Sequence, residues 1–178
     1  LPQVSIDIVQ CAELVTDTLI ERGANKLALI NGLPDYYLSR DIQEGFERSL
    51  RKHHLSKPAL LIKSSFGELF RKTDEWFPQA QECDAVVMET GAYIPLLTAC
   101  RIKQIIFRPK LGILPFHDEI RNLVNRHLFR ASDNTIFGKV SCSTFLKSAE
   151  MLLSNILSNK PLRSTQLESV IHDSGEDL

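Results

Sequence analysis

A layered α/β sandwich built on a parallel sheet is the fold class this sequence predicts. Three observations predict it. Short, almost unbroken apolar runs recur at Lys26–Asn31, Asp84–Met88 and Leu111–Phe116, and such runs fit strands covered on both faces. Segments with apolar residues at helical spacing separate them. Strand and helix therefore alternate along the chain, which is the pattern of a layered α/β domain.

Taken in order, Val4–Ile8 reads as a short strand. A helix over Gln10–Arg22 follows, with Ala12, Val15, Leu19 and Ile20 recurring and Gly23 as its stop. Lys26–Asn31 is a buried strand and Gly32–Asp35 a loop by composition. A second helix begins near Ser39, which is expected to cap it, with Asp41 in the first turn. Ile42, Phe46 and Leu50 mark its inner face.

Pro58–Ile62 reads as a strand and Ser64–Trp76 as one helix, with Phe66, Leu69, Phe70 and Phe77 toward a core. Asp84–Met88 is the next strand. Ala92–Arg101 is a helix that tolerates Pro95 only near its start. Gln104–Phe107 and Leu111–Phe116 are further strand candidates. Asp118–Phe129 reads as a short helix. Ser143–Asn159 has the clearest stripe, Phe145, Ala149, Leu152, Leu153, Ile156 and Leu157. Leu167–Ile171 closes as a strand before an acidic tail.

The chain has 178 residues, 43% of them hydrophobic, enough for one good core or for one full lobe with part of a second. Its formal net charge is -1, so it has no bulk attraction for a polyanion. No apolar run reaches about 18 residues, the span a membrane helix needs. Cys11, Cys83, Cys100 and Cys142 are widely spaced, which fits reduced thiols in a cytoplasmic protein better than a disulfide or zinc framework. His53-His54 and His117-Asp118-Glu119 lack distant partners at metal-ligand spacing. Neither a nucleophile elbow nor a phosphate-binding glycine loop is present. The expectation is a non-enzymatic domain without cofactor or metal.

Several segments together resemble the effector-binding domain of LacI/GalR-type transcription regulators. Asp7 and Gly23 stand where that family has a strand-ending aspartate and, sixteen residues on, a helix-closing glycine. Gly23–Gly32 resembles the glycine-led strand. Ser39-Arg40 with Gly45-Phe46 resembles a Ser-x-x-Arg-x-x-Gly-Phe segment whose arginine contacts ligand. Asp84–Gly91 resembles the strand leading to a ligand-facing Asn-Asp pair, with Thr90-Gly91 in its place. Gly112–Glu119 looks like the strand with the Gly-Phe-Asp-Asp signature, where His117 stands in place of the first aspartate, Asp118 matches the second and Pro115 replaces the glycine. Ser148–Pro161 resembles the long helix before the closing strand.

The resemblance implies a periplasmic-binding-protein-like domain lacking most of its first lobe. Residues 1–22 would be a first-lobe segment and crossover helix, and 23–115 the second-lobe core. Residues 116–142 would be a crossover and returning first-lobe segment, and 143–178 the closing helix, strand and tail. It further implies a repressor's sensing portion, with a sugar or sugar phosphate as small-molecule effector and a homodimer as the working state. The dimer face would be the helix at 10–22 or the segment near Ala92. Operator DNA would be held only through a headpiece outside this chain, with no membrane partner. A periplasmic-type sugar-binding protein, and a domain of this fold working only through protein contacts, are the alternatives.

Arg40 leads the candidate ligand residues, because a planar guanidinium grips carboxylates, phosphates or adjacent hydroxyls; a solvated surface arginine is the plain reading. Asp7 lies where a strand ends and ligands of open α/β sheets bind, or else caps the next helix. His117 and Asp118 stand at the signature, and Thr90 at the polar pair. Tyr37, beside Tyr36, offers a ring for stacking.

Overall fold

In the computed structural model the described residues are 4–116, 135–139, 150, 153–154, 156–158, 165–167 and 170–173. They form a six-stranded sheet of order β3-β2-β4-β5-β6-β8 and a separate pair, β1 with β7. The large sheet comprises β2 (Leu27–Asn31), β3 (Leu60–Lys63), β4 (Ala85–Glu89), β5 (Lys110–Phe116), β6 (Thr135–Lys139) and β8 (Val170–Asp173). All neighbours in it are parallel except β6 and β8. β1 (Val4–Ile6) pairs in parallel with β7 (Thr165–Leu167).

Helices cover both faces, so the central strands are apolar on both sides. Helices α1 (Ile8–Glu21) and α2 (Tyr37–Lys52) share one core with Leu27, Leu29, Ala85, Val87 and Leu114. Helices α3 (Phe66–Arg71), α4 (Thr73–Gln81) and α5 (Thr90–Lys103) share the other with Ala28, Ile30, Val86, Met88 and Ile113. Successive residues of one strand thus face opposite cores, as the two-residue period of a strand requires. This is the expected layered parallel-sheet class.

Close approach on the first face depends on absent side chains. A Cβ at Gly45 of α2 would overlap the Val9 carbonyl oxygen of α1 and lie 2.8 Å from the Ala12 Cβ. Beneath α1, Cβ atoms at Gly112 and Gly138 would lie 2.5 Å from Val15 Cγ1 and 2.7 Å from Cys11 Sγ. The two helices are also pinned by Asp17, buried on α1. Its carboxylate accepts from Ser49 Oγ at 2.6 Å and Lys52 Nζ at 2.6 Å, and contacts His53 Nε2 at 3.0 Å.

Several elements differ from the sequence expectation. The first strand ends at Ile6, because the Asp7 side chain accepts from Gln10 N and starts α1 at Ile8. α2 begins at Tyr37, so Ser39 sits inside it instead of capping it. The helix expected over 64–76 is two, broken at Lys72, and the Trp76 indole of α4 donates back to the Leu69 carbonyl of α3 at 2.8 Å. Phe66 and Phe70 are then substantially exposed, whereas Leu69, Trp76 and Phe77 are buried.

Residues 104–107 form no strand. Gln104 takes a left-handed φ of 53° as it closes α5, and Gln81 holds the link beyond it by bonding the Ile106 carbonyl and the Arg108 N–H. α5 itself starts earlier than expected, so Pro95 lies inside it. Thr135–Lys139 is a strand the sequence pattern did not mark. The β5–β6 register shifts between Ile113 and Phe116, around Pro115, which has no N–H to give to a ladder.

The closing strand is two strands in different sheets, β7 and β8. The expected helix over 118–129 lies outside the described residues. Residues 150, 153–154 and 156–157 are helical as expected, yet Leu153, Ile156 and Leu157 of the apolar stripe are exposed. Cys11 and Cys83 are buried, and Cys100 is half-buried.

Candidate functional site

The chain leaves β2 for β3 on one side and then crosses to β4 on the other. This reversal opens a crevice between the carboxyl ends of β2 and β4. Ligands of open α/β sheets bind at such a point, because neighbouring connections diverge there to opposite faces. β2 ends in Asn31 and β4 in Glu89.

The polar groups at the crevice bind one another. Glu89 Oε2 accepts from the Gly32 N–H at 3.0 Å and from Ser39 Oγ at 3.2 Å. Asn31 Nδ2 donates to the Ser39 carbonyl at 2.6 Å, tying the first turn of α2 to the end of β2. Gly32 leaves room for this pair: a Cβ would lie 2.6 Å from both Glu89 Oε2 and Ser39 Oγ, so those side chains would have to shift. Ser39 therefore has a different task from the cap expected of it. It reaches across the crevice to the β4 carboxylate.

A cavity of about 340 Å³ lies against this cluster, lined by Leu33, Tyr36, Tyr37, Ser65, Phe66 and Glu89 among others. Tyr36 and Tyr37 are 63% and 70% exposed, so both rings are available to an incoming molecule. The Phe66 ring packs on Gly91, where any Cβ would overlap it. The Gly91 departure noted in the sequence is thus the space that lets an aromatic ring cover the start of α5. An apolar wall with a few convergent polar groups is the usual make-up of a small-molecule pocket.

Of the candidates from sequence, Tyr37 lines this cavity. Thr90 opens α5 directly after Glu89. Arg40 is exposed on the first turn of α2 and is not among the lining residues; the strict Ser-x-x-Arg-x-x-Gly spacing falls instead on Ile42, which is fully buried. Asp7 is half-buried at the N-terminus of α1 and caps it through Gln10 N at 2.8 Å. His117 and Asp118 lie outside the described residues. Glu89, Ser39 and Phe66 were missed. The signal that could have found Glu89 is its place as the polar residue closing an apolar strand.

Elsewhere, Asp84 lies at the opposite, amino-terminal edge of the sheet. It accepts from the Asn25 and Lys26 N–H groups at 2.9 and 2.7 Å, and these bonds lower its pKa. Burial pushes the Tyr93 phenol up to about 12, so it stays neutral within its core. Among the described residues no cluster of three His, Cys, Asp or Glu can hold a metal, and no helix is long and apolar enough to cross a membrane.

Solved structures share this arrangement over nearly the whole chain. A regulatory protein of the LacI family from Chloroflexus aggregans superposes with a TM-score of 0.77 at 15% identity, over 98% of this chain and 63% of that one. The chain has the fold of LacI-type effector-binding domains. A periplasmic binding protein/LacI transcriptional regulator from Alkaliphilus metalliredigens, complexed with D-xylulofuranose, matches this LacI-type fold at a TM-score of 0.74 and 14% identity, over 97% of this chain and 64% of that one. The Cra transcriptional dual regulator from Pseudomonas putida, in complex with fructose 1-phosphate, matches at 0.72 and 13%, over 96% and 63%. The chain spans a little under two thirds of the length of these regulators. No protein-family model and no curated protein matches the sequence.

Proposed function

We propose that this chain is the effector-binding portion of a DNA-binding transcription regulator, a repressor whose small-molecule effector is a sugar or a related polar compound. The observation that carries the reading is the cavity at the switch point, bounded by Glu89 and by the Tyr36, Tyr37 and Phe66 rings, within a LacI-type fold. Sugars present hydroxyls to polar groups and flat C–H faces to rings, and this wall offers both. Regulators of the same fold carry D-xylulofuranose and fructose 1-phosphate.

On this reading effector binds one arrangement of the crevice better than another and shifts the population accordingly. Operator DNA is engaged through a headpiece outside this chain. The protein is cytoplasmic and works as a homodimer. Of the two expected faces, α1 is enclosed between α2 and the sheet, with Cys11, Ala12, Val15 and Leu19 fully buried. The α5 side is the better dimer face, since Ile94, Ile102 and Ile106 there are 48%, 77% and 83% exposed.

The test is a thermal-shift titration of the chain with sugars, sugar phosphates and nucleobases, repeated for Tyr37→Ala and Arg40→Ala. A ligand that binds only the folded state raises the melting temperature by mass action. A dose-dependent rise that Tyr37→Ala abolishes supports the pocket. An unchanged affinity in Arg40→Ala removes that residue from it. No response to any compound favours the reading in which the fold works through protein contacts alone.

A further inference from the structure

Among the described residues lining the cavity, Glu89 is the only carboxylate, and no lysine, arginine or histidine stands beside it there. Among the described residues no lysine, arginine or histidine forms an ion pair with it. Oε2 is held by Gly32 and Ser39, while no described group bonds Oε1. The loop forming one wall, residues 32–36, adds only Asp35 to the charge.

Two helices begin at this carboxylate. α2 starts at Tyr37 and α5 at Thr90, and neither has a side-chain cap. Each N-terminus carries roughly half a positive charge, so the pair together amounts to about one. Glu89 cancels that charge from within the protein. A second anion entering the cavity would meet an unpaired carboxylate without a compensating cation, and like charges brought together at a desolvated site repel.

We infer that Glu89 is a specificity-determining residue: it holds the place that the anion of a phosphorylated or carboxylated effector would take, so the cavity accepts an uncharged polyhydroxy ligand and rejects its phosphorylated form. This rests on the effector-pocket reading and narrows it. The ligand's hydroxyl donates to Oε1, and its apolar face lies against the Tyr36, Tyr37 and Phe66 rings.

The experiment is isothermal titration of the chain with three matched pairs: fructose and fructose 1-phosphate, glucose and glucose 6-phosphate, ribose and ribose 5-phosphate. At least one uncharged sugar binds, preferred over its phosphate by at least about ten-fold, a modest demand for one like-charge contact. Glu89→Gln brings that ratio toward one, whereas Glu89→Asp, which keeps the charge, retains the preference. In Glu89→Ala the Gly32 N–H and Ser39 hydroxyl are vacated, and inorganic phosphate then raises the melting temperature where it leaves the parent unchanged. Circular dichroism confirms that each variant is folded.

Preference for a phosphorylated member, a ratio unmoved by Glu89→Gln, or no phosphate response in Glu89→Ala overturns the inference while leaving an effector pocket in place. If neither member of any pair binds, the effector reading fails instead, and the phosphate response of Glu89→Ala still decides whether the carboxylate stands in for an anion.

Discussion

The α1–α2 crossing yields a prediction whose sign is opposite to the propensity rule. Gly45 lies inside α2, where replacing glycine by alanine in an exposed helix would gain about 1 kcal/mol. Here the added Cβ would overlap the Val9 carbonyl oxygen and approach Ala12 Cβ and Glu13 N to 2.8 and 2.9 Å. Two of those three atoms are backbone, so no rotamer change relieves the contact. The helices must move apart, loosening Ile42 and Phe46 against Ala12 and Val15, all fully buried.

Overpacking of this kind costs about 1–3 kcal/mol, and backbone contacts place Gly45→Ala at or above the upper end. After the propensity gain, a net loss of about 2 kcal/mol remains. For a chain of this size that lowers the melting temperature by about 4–8 °C. Gly67 of α3 is the matched control, since a Cβ there meets nothing within 4 Å. Gly67→Ala is expected to hold or raise the melting temperature by up to about 3 °C. Differential scanning calorimetry of both variants is the assay. A melting temperature for Gly45→Ala equal to or above the parent's would refute the close crossing of the two helices.

Three further outcomes follow from other contacts. Burial works to raise the Asp17 pKa, but the hydrogen bonds from Lys52, Ser49 and His53 and the Lys52 charge outweigh it, so the carboxyl titrates below its ordinary 3.8. Its ionised form therefore stabilises the fold at pH above 3.8, and that contribution is lost as pH falls from there through the folded value. The stability gap between parent and Asp17→Asn, read by urea unfolding, should persist from pH 7 to 5 and close below pH 4. A gap that stayed fully open down to pH 2 would contradict the pairing. Trp76→Phe removes the indole donor but leaves the Leu69 carbonyl its bond from Thr73 Oγ1, so it should cost about 0.5–1.5 kcal/mol in the same assay; a neutral result would mean that the α3–α4 break is held by other contacts. Gly91→Ala displaces the far end of the Phe66 ring rather than backbone, so it should weaken effector binding with a loss under about 1 kcal/mol of stability. A large fall in melting temperature without a change in affinity would place Phe66 in the core instead of the pocket wall.

The central strands were legible in the sequence because burial on both faces demands unbroken apolar runs. Lys26–Asn31, Asp84–Met88 and Leu111–Phe116 all became strands of the large sheet, with bounds displaced by a residue or so. The α1 and α2 stripes were legible for the same local reason, a helical repeat of residues that must face one core. Pattern misled where a partner outside the segment decided the outcome. Gln104–Phe107 has the apolar character of a strand but pairs with none of the described strands, and Gln81 holds it as a link. Leu167–Ile171 reads as one strand but is divided between two sheets.

The candidate site shows the same division. Tyr37 and the loop 32–35 could be placed near a strand's carboxyl end from the order of elements alone. Ser39 and Glu89 could not be joined that way. They stand fifty residues apart and meet only because β2 and β4 are neighbours while β3, between them in sequence, lies on the far side of β2. The sequence by itself determined the layered class and the apolar faces, since those follow from repeats within a few residues. Which carboxylate closes the crevice, and which glycine makes room for it, was decided by strand order and register, which bring distant residues to within a hydrogen bond of each other.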